Sequence, residues 1–418
     1  MVTGQGLRTA FILGFLVTIP LIIVYWYQTE GLNFNQLRNP KQNYSSTSRS
    51  YSRFTSRSHT SSSSTVNTTT SRTTLVPEVG GGAGDEHGEE ERRSKQEQKK
   101  EETRDDVEKE RSNYTVRERE QEMRKRRITD MCSGREGLEF PGRTRAFEQI
   151  PDRDLNHLIV DDKHRIIYCY VPKVACTNWK RVMVVLSQSL ISPSSGKPYT
   201  DPQTVPADLV HKSSIYLTFA NFWNHDSSLS RQLMELKLQN YTKFLFVRDP
   251  FVRLISVFRN KFEKPNEKFY RSFGLDMIRR YGNVSGSLPK SAAEAFSRGI
   301  KPTFQQFISY LIDPVTERKS IFNEHWRQVY RLCHPCQVKY DFIGQVETLE
   351  TDAKHLLKLL EVDDIIHFPS IYKNPTTMNW ERDWFSKIPI KMRRKLYQLY
   401  EPDFKLFGYP KPDSVLLQ

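Results

Sequence analysis

Two segments of the chain gather residue types that suit an anion. The first is Pro172, Lys173, Val174, Ala175, Cys176, Thr177 and Asn178, followed by Trp179 and Lys180. It lies between the apolar run Ile166 to Val171 and a stretch of helical spacing from Thr177 to Leu190. A strand, a tight turn with a lysine and a hydroxyl, then a helix, is one way a backbone cradles a phosphate. Amides at a helix N-terminus point outward, and the helix dipole favours negative charge there. Lys173 can reach a phosphate or a bridging oxygen. The pattern G-x-x-x-x-G-K-[ST] is absent, which disfavours a nucleoside triphosphatase. By spacing alone the segment equally suits an ordinary strand-to-helix turn.

The second segment is Arg248, Asp249, Pro250, Phe251, Val252, Arg253, Leu254, Ile255 and Ser256. Arg248 ends the apolar run Phe244 to Val247, at the strand end where open α/β sheets bind ligands. Ser256 follows two helical turns later, so arginine and serine can grip one phosphate together. Arg253 either assists or is a solvated helix residue. Two strand-end anion sites in one sheet imply a ligand with two separated anionic groups.

The elements that must hold these residues are three strands, Ile166 to Val171, Phe244 to Val247 and Phe342 to Val346. Helices are expected behind them over Thr177 to Leu190, Phe251 to Phe262 and Asp352 to Leu360. This alternation predicts an α/β fold with a parallel sheet flanked by helices on both faces.

With that context, PKVACTNWK and RDPFVRLIS resemble the 5′-phosphosulfate and 3′-phosphate loops of the Golgi carbohydrate sulfotransferases. The chondroitin 4-O-sulfotransferases are the most similar. The resemblance runs through LIVDDKHRIIYCYVPKVACTNWKRVM, KFLFVRDPFVRLISVFRNKF, FNEHWRQVYRLCHPCQVKYDFIG and LYEPDFKLFGYPKP, roughly Cys132 to Pro412. It implies a P-loop-like sulfotransferase fold. It also implies 3′-phosphoadenosine-5′-phosphosulfate (PAPS) as donor, no metal, and transfer to the 4-hydroxyl of N-acetylgalactosamine in chondroitin. The same chemistry on dermatan, or on terminal N-acetylgalactosamine of N-glycans, shares these loops. A sulfated-glycan lectin is the reading from another class, but it would not need a nucleotide site.

Sulfuryl transfer is an in-line displacement in which the protein supplies position and charge. Lys173 would stabilise the bridging oxygen as the adenosine bisphosphate leaves, and a base must take the acceptor proton. His211 occupies a place similar to a functional histidine of the uronyl 2-O-sulfotransferases. His325 is the next candidate, and Asp249 and Glu347 are carboxylate alternatives. Lys180, Arg181, Arg259, Lys261, Lys264, Arg279 and Arg280 flank the donor loops and suit an acidic polysaccharide, although some belong to solvated helix faces. Trp223 and Trp326 suit sugar stacking or core.

The formal charge is +14. Residues 1–131 carry +3 of it and the remainder +11. A field of this kind attracts polyanions without choosing among them. Thr9 to Tyr27 is an uncharged apolar run close to the roughly 20 residues that cross a bilayer. Asn43, Asn67, Asn113, Asn240 and Asn283 each open a glycosylation triplet after it. Together they predict a lumenal body and argue against a nucleic-acid partner. The expected layout is a cytoplasmic tail over 1–8, a signal-anchor over 9–27, a low-complexity lumenal stem over 28–131 and a catalytic domain over 132–418. The whole would be a single-pass type II protein of the Golgi membrane. Such a compartment permits disulfides. Of the five cysteines, Cys132, Cys169, Cys333 and Cys336 are expected to form structural bridges, with Cys176 left as the free thiol.

Overall fold

A computed structural model describes residues 112, 114–219, 227–370 and 380–417. The expected span over 9–27, most of the stem, Trp223 and the triplets at Asn43, Asn67 and Asn113 lie outside the described residues.

Helix α1 covers 114–132. Strands β1 (Leu158–Asp161) and β2 (Ile166–Cys169) follow, then helix α2 (Cys176–Ser187) and the short strand β3 (Leu217–Thr218). Helix α3 (Ser227–Asn240) leads into strand β4 (Thr242–Val247) and helix α4 (Pro250–Lys261). Helix α5 (Phe304–Ile312), strand β5 (Phe342–Gln345) and helices α6 (Leu349–Leu359) and α7 (Ile390–Phe407) complete the frame.

The sheet order is β3-β1-β2-β4-β5. β2, β4 and β5 run parallel, with Tyr168 opposite Phe244 and Phe244 opposite Phe342. β1 is antiparallel to both β2 and β3. The sheet is therefore mixed, and the all-parallel expectation is corrected. The cause is local. Only residues 162–165 join β1 to β2, whereas a parallel pair needs a long crossover. Asp161 shapes this hairpin. Its Oδ1 accepts from the N–H groups of Lys163 (3.0 Å) and His164 (3.4 Å), and Arg165 closes the turn at φ 55°.

The central strands are buried along their length, as expected of a sheet covered on both faces. Trp179 of α2 packs on the rings of Phe244 (5.0 Å) and Phe246 (4.8 Å). A second core gathers α4, α5 and α7 around Trp326 and Phe307. Trp326 is thus core, not a sugar platform. Disulfides join Cys132 to Cys336 and Cys169 to Cys333, spanning 204 and 164 residues, and Cys176 is free. The pairing follows the expected partition of bridged and free thiols.

The folded body begins upstream of Cys132. Gln121 of α1 donates to Ile343 O (3.1 Å) and accepts from Ile343 N (2.9 Å). One side-chain amide thereby completes the open edge of β5 as a neighbouring strand would. Arg124 adds bonds to Ile343 O (2.7 Å) and to Asp352 (2.8 Å). The last part of the expected stem belongs to the domain.

Candidate active site

The site forms at the carboxyl ends of β2 and β4. β2 ends at Cys169, and the chain turns through Pro172 to Asn178 into α2. Lys173 and Ala175 adopt φ of 74° and 62°. Left-handed conformations at non-glycine residues are costly, and alternation of this kind turns successive amides toward one point. Ala175 is the N-cap of α2 and offers no side-chain acceptor. Asn178 N is taken by Ala175 O (3.0 Å), and the amides of Cys176 and Thr177 before it are available to an external anion. α4 differs. Its first amides are taken by Asp249 Oδ1, which accepts from Phe251 N (2.8 Å) and Val252 N (3.0 Å).

A cavity of about 620 Å³ opens over the α2 loop. It is lined by Tyr170, Pro172, Lys173, Ala175, Cys176, Thr177, Lys180, His211, Ser256, Lys261, Lys268, Glu324 and His325, among others. The structure thus brings Lys173, His211, His325 and Ser256 together from four separate segments. Four lysines face one carboxylate, Glu324, so the lining is strongly cationic. Burial, with Lys261, Arg248 and Arg259 nearby, brings the Lys173 ammonium down to about 8. It remains charged at neutral pH.

His211 sits at the rim, its Nε2 3.2 Å from Thr177 Oγ1. Partial burial and then Lys180, Lys261 and Lys173 lower its pKa. The imidazole is neutral and able to accept a proton. His325 is more deeply set. Burial and neighbouring cations bring it to about 3, and its Nδ1 lies 2.8 Å from Asn323 Oδ1. That is a weaker base than His211.

The carboxylate alternatives are engaged elsewhere. Asp249 caps α4, and Glu347 accepts from Asp249 N (3.1 Å) and the Tyr409 hydroxyl (2.9 Å). Arg248 is half-buried beside them at the end of β4. Arg253 is neither a solvated residue nor free to bind a donor. Its Nε donates to Pro172 O (3.0 Å), one terminal nitrogen to Arg327 O (2.8 Å) and the other to Glu324 O (3.0 Å). It is a buried strut that fixes the α2 loop against the Glu324 turn. Val174, Phe251, Leu254 and Ile255 put their side chains in the core, so only their backbone can reach a ligand. Of the flanking cations, Lys180 and Lys261 reach the cavity. Arg181 is tied to Val205 O (2.8 Å), Arg259 faces Glu263, and Arg280 pairs with Asp276 and Asp313.

Glu324, Tyr170 and His157 were not singled out from sequence. Tyr170 donates to Glu324 (3.4 Å) and stacks on His157 (4.2 Å). His157 Nδ1 lies 2.7 Å from Tyr170 O, and its Nε2 faces Glu324 at 3.5 Å. A carbonyl only accepts, so Nδ1 carries the hydrogen. The only available signal was Glu324's place beside His325 in FNEHW.

A model described as the sulfotransferase family matches residues 156–410 of the chain. The chain belongs to the sulfotransferase family. Its matched stretch begins before β1 and ends after α7, so it contains both the Pro172–Asn178 and the Arg248–Ser256 segments. Carbohydrate sulfotransferase 12 of Mus musculus is 58% identical over 300 residues, 72% of this chain and 71% of that protein. The Xenopus laevis protein of the same name is 57% identical, with 71% and 70% covered. Carbohydrate sulfotransferase 11 of Rattus norvegicus is 40% identical, with 71% and 78% covered. No solved structure matches the chain. The cavity gathers the opening of α2, the partly buried Lys173 and the neutral imidazole of His211.

Proposed function

We propose that the protein transfers the sulfuryl group of PAPS to the 4-hydroxyl of N-acetylgalactosamine in chondroitin. The single observation that carries the chemistry is the α2 loop without a side-chain cap, with Lys173 and Ser256 both lining the cavity over it. The cradle fits the phosphosulfate end of the donor, and Arg248 with Ser256 its 3′-phosphate. The acceptor oxygen attacks sulfur as the bond from sulfur to the bridging phosphate oxygen breaks. Lys173 neutralises the oxygen that departs with adenosine 3′,5′-bisphosphate. His211 takes the hydroxyl proton. Metal ions are not required in this scheme, because lysines and amides meet the charge.

The named relatives support a carbohydrate acceptor, and the cationic lining supports an acidic one. The apolar run over 9–27 supports anchoring as a single-pass type II protein of the Golgi membrane. Asn240 and Asn283 are exposed and accessible to glycosylation. The test is incubation of the soluble lumenal portion with labelled PAPS and a panel of acceptors, followed by disaccharide analysis. We expect 4-O-sulfated galactosamine from desulfated chondroitin. Preference for dermatan or for neutral N-glycan ends would replace the acceptor and leave the transfer chemistry. No transfer to any sugar would remove the proposal.

A further inference from the structure

A second pocket, of about 230 Å³, opens beside the cavity and is lined by Arg145, Asp154, Arg327, Arg331 and His334. One segment lines both, and a second lines the pocket and packs on a residue of the cavity. His157 stacks on the cavity residue Tyr170, and Asp154, three residues earlier, lines the pocket. Glu324 and His325 line the cavity, and Arg327 lines the pocket. Three residues span about 11 Å at full stretch. Leu158 pairs with Cys169, so the chain that enters β1 sits at the carboxyl end of β2, the edge that carries the cavity.

Three arginines line this pocket against one carboxylate, Asp154, which lies near Arg327 without forming an ion pair with it. Arg331 is paired with Glu317. Arg145 and Arg327 have no carboxylate partner among the described residues. Arg145 approaches only His334 Nδ1, at 3.4 Å, and its buried Nε has no hydrogen-bond partner. His334 is itself committed: its Nε2 lies 3.1 Å from Asp154 O, and burial keeps it neutral. Arg327 Nε is held by Phe322 O (2.8 Å), which leaves its terminal nitrogens in a pocket it shares with Arg145, and a guanidinium fork matches a carboxylate in geometry and charge.

We propose that Arg145 and Arg327 form an acceptor subsite that binds a uronate carboxylate of the polysaccharide, on a sugar near the one being sulfated. This rests on the acidic-polysaccharide reading above. It would fix the register of the chain, so that a galactosamine hydroxyl faces sulfur.

Arg145→Gln, Arg327→Gln and the double variant are compared with wild type on desulfated chondroitin and on carboxyl-reduced chondroitin. Binding to immobilised adenosine 3′,5′-bisphosphate and the melting temperature report folding, and Arg145→Lys keeps the charge. The expected result is a KM for chondroitin raised at least about tenfold in the double variant, the order expected for a lost charge-assisted pair. Donor binding should be unchanged, carboxyl-reduced polymer should show no further loss, and Arg145→Lys should recover part of the affinity. An unchanged KM, or an equal rise on both polymers, overturns the subsite while chondroitin transfer by wild type stands. A wild-type enzyme that uses only neutral acceptors overturns both.

Discussion

The proposed transfer needs Lys173 as a cation, and its protonation is precarious. Burial and neighbouring positive charges bring it to about 8. A lysine with a lowered pKa loses its charge as pH rises through that value, so stabilisation of the leaving oxygen fades on the alkaline side. His211 has a lowered pKa too, and it must be neutral to accept a proton. Its inactive, protonated form therefore appears only below the ordinary histidine range. The expected profile of kcat/KM for the donor, which reports the free enzyme, is a plateau that declines above about pH 8. Lys173→Ala should lower kcat by about a hundredfold or more and abolish the alkaline limb, with the melting temperature nearly unchanged. Lys173→Arg should move that limb upward, because arginine does not titrate in this range. A limb that stays near pH 8 in both variants would assign it to another group.

At the scale of elements, the open edge of β5 depends on one side chain. Gln121 supplies both a donor and an acceptor to Ile343, and this amide is buried. Gln121→Ala should cost about 1–3 kcal/mol, since it orphans a buried N–H and leaves the carbonyl to Arg124 alone. Gln121→Glu should fare nearly as badly, because a carboxylate cannot donate. Denaturant melts of the two variants test this, and a version that begins at Cys132 should be less stable than either. These elements also divide by legibility. β2, β4 and β5 were readable because each is an unbroken apolar run followed by helical spacing, and their parallel pairing followed. β1 was not read as a strand, although LIVD lies inside a quoted segment. Its hairpin turn depends on the Asp161 side chain rather than on glycine or proline. α1 falls within the expected stem because its docked face is polar: Gln121 and Arg124 make contacts that hydrophobic periodicity does not register. Lys173 and Ser256, singled out by motif and strand-end position, both line the cavity. Arg253 was not legible, because sequence cannot distinguish a buried guanidinium bonded to three carbonyls from one that faces solvent.

Across the whole molecule, residues 132–418 carry +11 of the +14, while Lys173, Lys180, Lys261 and Lys268 line one cavity. These two populations should respond differently to salt. Exposed charges act on an approaching polyanion over distances that ions screen, about 8 Å at physiological strength. Such steering raises encounter rates and fades as salt is added. Lys173 and Lys180 are largely buried, and close buried contacts are screened much less. Raising the salt from about 50 to 300 mM, through the range where screening sets in, should therefore raise the KM for polymeric chondroitin several-fold. The KM for PAPS should change by less than about twofold, and short neutral acceptors should change little. Variants at Arg145 and Arg327 separate the two contributions to acceptor binding. If those residues make a close enclosed contact, their loss should raise KM at every salt concentration and leave the slope of log KM against log salt nearly intact. Substitution of exposed cations should flatten that slope. Equal salt slopes for donor and polymer in the wild-type enzyme would mean that the net charge is a solubility feature and takes no part in acceptor capture.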